Sequence, residues 1–168
     1  MTAAHISPKG DRVALTVRGR VFVAPHRQGR MVEAERKEGV RCRDARFMPD
    51  GNSLLVLCDG SGEVEVWKVP ANGVGPSEQI TKDAEVLRWE ASPSPDGRYI
   101  AHHDKNQRLW LYDVEKKKDS MIDESEVDQF DDLRWSPDSR WLAYVAASSN
   151  LYSRIWIHAL ADGSKFAV

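Results

Sequence analysis

The sequence predicts an all-β chain of four consecutive four-stranded antiparallel sheets. Three observations carry this. A proline turn recurs as "HISPKGDRVALTV", "RFMPDGNSLLVLC", "SPSPDGRYIAHHD" and "RWSPDSRWLAYVA". Its prolines, Pro8, Pro49, Pro95 and Pro137, are 41, 46 and 42 residues apart, the length of a four-stranded propeller blade. No segment sustains apolar residues at i, i+3, i+4 and i+7 over three turns, so nothing supports a helix.

The blades fall at approximately 3–37, 42–82, 85–123 and 131–168. In the first, "AAHIS" leads into the turn, followed by "RVALTV", "RVFVAP" and a weaker "RMVEAER". The second reads "RDARF", "SLLVLC", "EVEVWKV" and "SEQIT". The third reads "VLRWEAS", "RYIAHH", "QRLWLYDV" and "DSMID". The fourth reads "DDLRW", "RWLAYVA", "SRIWIHAL" and a truncated "KFAV". These runs are rich in Val, Ile, Leu, Tyr and Trp and are bounded by Gly, Asp, Asn and Pro, as strands are.

In the turn, Pro presets φ, Asp bonds locally to backbone, and Gly accepts positive φ. Lys9 replaces Asp in the first turn. Ser139 replaces Gly in the fourth, so a residue with a Cβ must take the glycine conformation or the turn must adjust. Aligning "LRW" at 87–89 with "ARF" at 45–47 and "LRW" at 133–135 leaves four extra residues, "EASP", before the third turn. Pro93 among them predicts a bend or bulge there. Each third strand carries one large aromatic, Phe22, Trp67, Trp110 and Trp156, expected in the core. One blade cannot bury both faces, and its neighbours cover them.

"RWSPDSRWLAYVA…SRIWIHALADG" resembles the PD-type, WD-like propeller repeats of the tricorn protease and TolB superfamily. "MPDGNSLLVLCDGSGEVEVWKVPANG" and "SPDGRYIAHHDKNQRLWLYDVEKKK" look most like the propeller of bacterial tricorn-like serine peptidases. In those proteins such blades precede a PDZ and a peptidase domain. The resemblance implies a non-catalytic module that gates or binds peptide substrate. The alternative is a stand-alone TolB-like scaffold for protein partners. No catalytic residue carries over, and the chain alone is expected to be no enzyme. Tricorn propellers have six or seven blades, so four leave apolar faces at both ends. The chain is expected to tighten into a closed four-bladed ring or to self-associate. Association is the outcome favoured.

With 168 residues, 41% hydrophobic and 30% charged, the chain is long enough for one domain with a sizeable core. A net charge of −2 gives no reason to expect nucleic acid. No apolar stretch approaches the roughly 20 residues a spanning helix needs, so no membrane insertion is expected. The N-terminus shows no basic region followed by an apolar one. Cys42 and Cys58 are expected as two small buried hydrophobes, a single bridge being the other reading. Reduced thiols and the missing leader favour the cytoplasm, with the periplasm as the alternative if a leader was removed.

No nucleophile elbow, zinc helix or phosphate loop occurs, so no cofactor and no catalytic site are expected. His102 and His103, adjacent on a strand, point to opposite faces and cannot share a metal, and none is expected. The stretch "DESEVDQFDD", 123–132, holds six carboxylates in ten residues and is expected as a solvated loop. Arg46, Arg88 and Arg134 each precede a first-strand aromatic. Such guanidinium groups can form a basic collar that binds a peptide carboxylate or another anion. The structural reading, in which each pairs with an aspartate of its own or the neighbouring blade such as Asp44, Asp131 or Asp132, is the one favoured.

Overall fold

The four proline turns are closed by the same two backbone bonds. The N–H of Ser7, Met48, Ser94 and Ser136 donates to the carbonyl of Arg12, Ser53, Tyr99 and Trp141, each at 2.9 Å. The N–H of Gly10, Gly51, Gly97 and Ser139 returns to the carbonyl of Ser7, Met48, Ser94 and Ser136. This last residue sits at φ 69°, 66°, 74° and 59°. Where the turn begins with serine, its hydroxyl donates to Asp11, Asp96 or Asp138 at 2.6–2.7 Å and accepts the next strand's first N–H. Asp11 stands in for the aspartate that Lys9 replaces. In the second turn Met48 has no hydroxyl, and Asp50 takes the Ser53 hydroxyl instead. The Ser136 hydroxyl and Arg140 pull the Asp138 carboxyl down to about 2.

Each turn joins the first two strands of a four-stranded sheet, and the described residues form sixteen strands in all. The computed structural model describes residues 3–82, 85–147 and 152–168. Sheet 1 holds β1 (Ala3–Ile6), β2 (Arg12–Val17), β3 (Arg20–Pro25) and β4 (Val32–Glu33). Sheet 2 holds β5 (Cys42–Phe47), β6 (Ser53–Cys58), β7 (Glu65–Pro70) and β8 (Glu78–Gln79). Sheet 3 holds β9 (Arg88–Pro93), β10 (Tyr99–Asp104), β11 (Arg108–Asp113) and β12 (Lys118–Glu124). Sheet 4 holds β13 (Asp131–Trp135), β14 (Trp141–Ala147), β15 (Ser153–Ala159) and β16 (Lys165–Ala167). In each sheet the strands lie in chain order, and no helix occurs among the described residues. The chain divides into two compact units, Met1–Arg88 and Trp89–Val168. In the first unit Ala14, Val21 and Val23 of sheet 1 share a core with Ala45, Phe47, Leu54 and Val56 of sheet 2. In the second, Ala101 and Leu109 of sheet 3 meet Phe130, Leu133, Leu142 and Tyr144.

Several expectations are corrected. β9 runs to Pro93 and its turn begins at Ser94, as in the other repeats, so "EASP" is no insert. The extra length lies mainly in the β6–β7 connection, residues 59–64, where the β2–β3 connection has only residues 18–19. The third-strand aromatics are half-buried and not full core residues. Trp67 and Trp156 lie against the two cores, while the Trp110 indole N–H donates to Asp104 at 2.8 Å.

Cys42 and Cys58 are bonded as a disulfide. They are direct partners across β5 and β6, with Cα atoms 4.1 Å apart. The sequence gives their separation but not the strand register that brings them together. Closing this 16-residue span contributes about 3 kcal/mol in the chain-entropy account. The argument for the cytoplasm from reduced thiols therefore loses its support.

Ser139 takes the glycine conformation, and its buried hydroxyl accepts the Asp96 N–H at 3.0 Å. A left-handed φ costs a non-glycine residue roughly 1 kcal/mol. The hydrogen bond returns a similar amount, about 1 kcal/mol. Ser139→Gly removes both and is expected to leave stability within about 0.5 kcal/mol. Ser139→Ala keeps the strain, loses the bond and is expected to cost about 1 kcal/mol. Urea midpoints of the two variants check this, and equal losses would contradict it.

Candidate functional site

Two of the three candidate arginines sit on equivalent bulges. In β5 the register shifts between Arg43 and Arg46, and in β13 between Asp131 and Arg134. Each bulge is made by an aspartate with positive φ, Asp44 at 51° and Asp132 at 55°. Asp tolerates this region because its short polar side chain bonds locally. The bulge turns the carboxylate toward the arginine two residues on. Arg46 lies 3.2 Å from Asp44, and Arg134 lies 2.9 Å from Asp132 and 4.0 Å from Glu90. The aspartate pairing left open by the sequence is thus present at both. The Arg46 side chain is 19% exposed and the Arg134 side chain 63%, so the two differ in what can reach them.

Arg88 does not share this position. Counted from the turn, the residue equivalent to Arg46 and Arg134 in sheet 3 is Ser92. Arg88 lies four residues earlier and is 3% exposed. Its guanidinium is 3.8 Å from the buried Glu65 carboxylate, which accepts the Thr81 hydroxyl. Its carbonyl accepts from Arg43 at 2.6 Å, and its N–H donates to Val64. The recurrence of three arginines in the sequence is therefore two equivalent residues and one buried residue held against Glu65 and Arg43 within the first unit.

The second unit holds buried polar groups that sequence patterning did not single out as a group. His102 and His103 do face opposite sides of sheet 3. His102 reaches Asp119 at 3.0 Å, while His103 lies 3.9 Å from Glu90 and edge-on to Phe130. Glu90 also accepts the Leu133 N–H at 3.4 Å. The stretch 123–132 is not a solvated loop throughout. Asp123 accepts both the Tyr144 hydroxyl and Lys165 at 2.6 Å, and Phe130 is 1% exposed. Burial, followed by the bond to Asp123, makes the Tyr144 phenol harder to ionise. Among the described residues no His, Cys, Asp or Glu cluster of three or more can hold a metal ion. No helix among them is long and apolar enough to cross a membrane.

His158 is buried beside Asp123, Lys165 and Asp162. Burial lowers its pKa below 6.5, outweighing the Asp123 charge, which raises it. The unfolded chain then takes up a proton as pH falls through 6.5, while the folded chain resists until its own lower value is reached. Stability is expected to fall over that interval, before the turn carboxylates protonate. Thermal melts at about pH 7.5 and about pH 5 check this, and His158→Gln is expected to reduce the difference, the remainder belonging to His5, whose pKa burial also lowers. An unchanged slope would contradict the assignment.

The whole chain, residues 1–168, matches the family described as the tricorn protease second beta propeller domain. It is 29% identical over 137 residues to a tricorn protease homolog of Saccharolobus solfataricus, covering 81% of this chain and 12% of that protein. It is 32% identical over 138 residues to tricorn protease homolog 1 of Streptomyces coelicolor, covering 78% and 13%. The chain spans 12–15% of the length of the curated relatives it matches. Its fold is that of TolB from Acinetobacter baumannii, with a TM-score of 0.79, 18% identity and coverage of 98% of this chain and 42% of that one. The crystal structure of the tricorn protease gives 0.77, 17%, 98% and 17%. The repeated proline turn, the four antiparallel sheets and the match along the full length agree, and the chain belongs to the tricorn protease second β-propeller family.

Proposed function

We propose that this chain is a non-catalytic binding module that receives unfolded peptide for a peptidase domain carried elsewhere in a longer protein. The observation that carries the reading is the full-length match to a tricorn protease propeller. Arg46 and Arg134 support it. They occupy equivalent positions on the first strands of two sheets, and guanidinium forks suit peptide carboxylates. Their aspartate partners hold them in place, and the exposed Arg134 keeps donors toward solvent. Arg88, buried against Glu65, takes the structural part in this reading.

Fluorescence anisotropy of labelled unstructured peptides against the pure chain tests it. Binding is expected with a free C-terminal carboxylate, and weaker binding with the amidated peptide or with Arg46→Ala/Arg134→Ala. No cleavage of the peptides is expected. Capture of a folded protein but of no peptide would replace this reading with the TolB-like scaffold. Peptide turnover that survives repurification would overturn the non-catalytic assignment.

A further inference from the structure

A cleft of about 450 Å³ opens between sheets 1 and 2, where β2 turns into β3 and where residues 34–41 lead from β4 into β5. Buried Val21 and Cys42 line it, one from each sheet. The volume is that of a ligand pocket, far above the roughly 30 Å³ that one water takes. Five cations line it, Arg18, Arg20, Arg36, Lys37 and Arg41, against three carboxylates, Glu33, Glu35 and Glu38. Two of the carboxylates are already engaged. Glu33 lies 2.6 Å from the Arg20 Nε. Glu35 accepts the N–H groups of Arg36 and Lys37 at 2.9 and 3.0 Å and the Ser77 hydroxyl at 2.7 Å. The cations keep donors to spare. Arg36 uses its Nε on the Glu33 carbonyl, and Lys37 Nζ reaches the Gly60 carbonyl at 3.4 Å. The Arg18 and Arg41 guanidinium groups bond to no side chain or backbone group among the described residues.

The second unit closes the equivalent gap. Counted from the turn prolines, Lys105 stands at the place of Arg18 and Gln129 at the place of Arg41. The Gln129 amide donates to the Lys105 carbonyl at 3.1 Å and ties the two connections together. In the first unit Arg41 makes no such tie, and like charges on the two walls oppose direct contact. The walls are nevertheless fixed. The Cys42 N–H donates to the Gly19 carbonyl at 2.7 Å, and Cys42 is bonded to Cys58. The Arg41 N–H donates to the Asp59 carboxylate at 2.7 Å, and its carbonyl accepts the Asp59 N–H at 3.1 Å. A Cβ at Gly19 would stand 3.3 Å from the Arg41 Cβ, so the glycine lets the Arg41 stem lie against the β2–β3 turn. A site whose backbone is already ordered loses less entropy on binding.

We propose that this cleft binds acidic side chains of an extended peptide, with Arg18 and Arg41 holding the carboxylates. This rests on the peptide-binding reading and adds a preference for Asp and Glu within the peptide. Guanidinium forks match carboxylates, and the glutamates in the walls favour a singly charged group over a dianionic phosphate. Fluorescence anisotropy against the 168-residue chain tests it. Two labelled unstructured peptides differ only in Asp and Glu against Asn and Gln, and both keep a free C-terminal carboxylate. The acidic peptide is expected to bind about tenfold tighter, since each partly exposed ion pair is modest and two are gained. The difference is expected to shrink as salt rises. Arg18→Gln/Arg41→Gln is expected to remove it. Arg27→Gln/Arg30→Gln takes the same net charge from exposed sites outside the cleft and is expected to keep it. Circular dichroism verifies that both variants retain their strand content. Equal binding of the two peptides overturns the proposal and leaves the peptide-binding reading standing. An acidic preference that survives Arg18→Gln/Arg41→Gln, or that Arg27→Gln/Arg30→Gln removes equally, overturns it too. Binding of neither peptide overturns both readings.

Discussion

Replacing Arg88 by methionine is expected to cost about 3–5 kcal/mol, the loss that follows when one member of a buried ion pair is removed. Glu65 is 0% exposed and its carboxylate lies 3.8 Å from the Arg88 guanidinium. Without that charge the carboxylate must stay ionised in a poorly solvated site or take up a proton, and either costs free energy. The Thr81 hydroxyl, which donates to Glu65 and accepts the Val66 N–H, ties the pair to β7. Arg88→Met/Glu65→Gln removes the buried carboxylate charge as well and is expected to recover most of the loss. Arg46→Met is the contrast. Its partner Asp44 is 30% exposed, so water shares in solvating the charge, and a loss below about 1 kcal/mol is expected. Denaturant midpoints measure all three. An Arg88→Met loss as small as that of Arg46→Met would remove the structural role given to Arg88.

Phe130→Ala is expected to cost about 3–5 kcal/mol, the range for deleting a fully buried phenyl ring. The ring is 1% exposed, packed edge-on to Tyr144 at 5.6 Å and to His103 at 6.4 Å. It joins Ala101 and Leu109 of sheet 3 to Leu133 and Leu142 of sheet 4. Removing it leaves a cavity that β-sheets, held by their ladders, collapse poorly to fill. Glu126→Ala, four residues away and exposed, is expected to change stability by less than about 0.5 kcal/mol. Thermal and urea unfolding of both variants decide. A Phe130→Ala loss under about 1 kcal/mol would show that the segment is the solvated loop its charge suggests.

The sequence by itself determined the repeat, and the repeat determined the sheets. β2, β3, β6 and β13 lie at the residues their runs mark, because a turn with one set of φ requirements and a short run bounded by turn residues are both local properties. Ser139 is a case in point: the missing glycine marked the position and left two outcomes, and the serine takes the glycine conformation at φ 59°. Only the tertiary structure decided what meets across the strands. The Cys42–Cys58 bridge depends on the register of β5 against β6. The displacement of Arg88 from the position of Arg46 and Arg134 depends on the turn beginning at Ser94. Phe130 was hidden among six carboxylates, since composition averages over a segment while burial is decided side chain by side chain. An apolar face on the last sheet was expected, but not which side chains line it. Trp141, Ile157 and Phe166 are far apart in the chain, and antiparallel pairing brings them onto one face. Local sequence fixes backbone preference, but register and long-range packing arise from the free energy of the whole assembly of strands, and side-chain encounters follow from those.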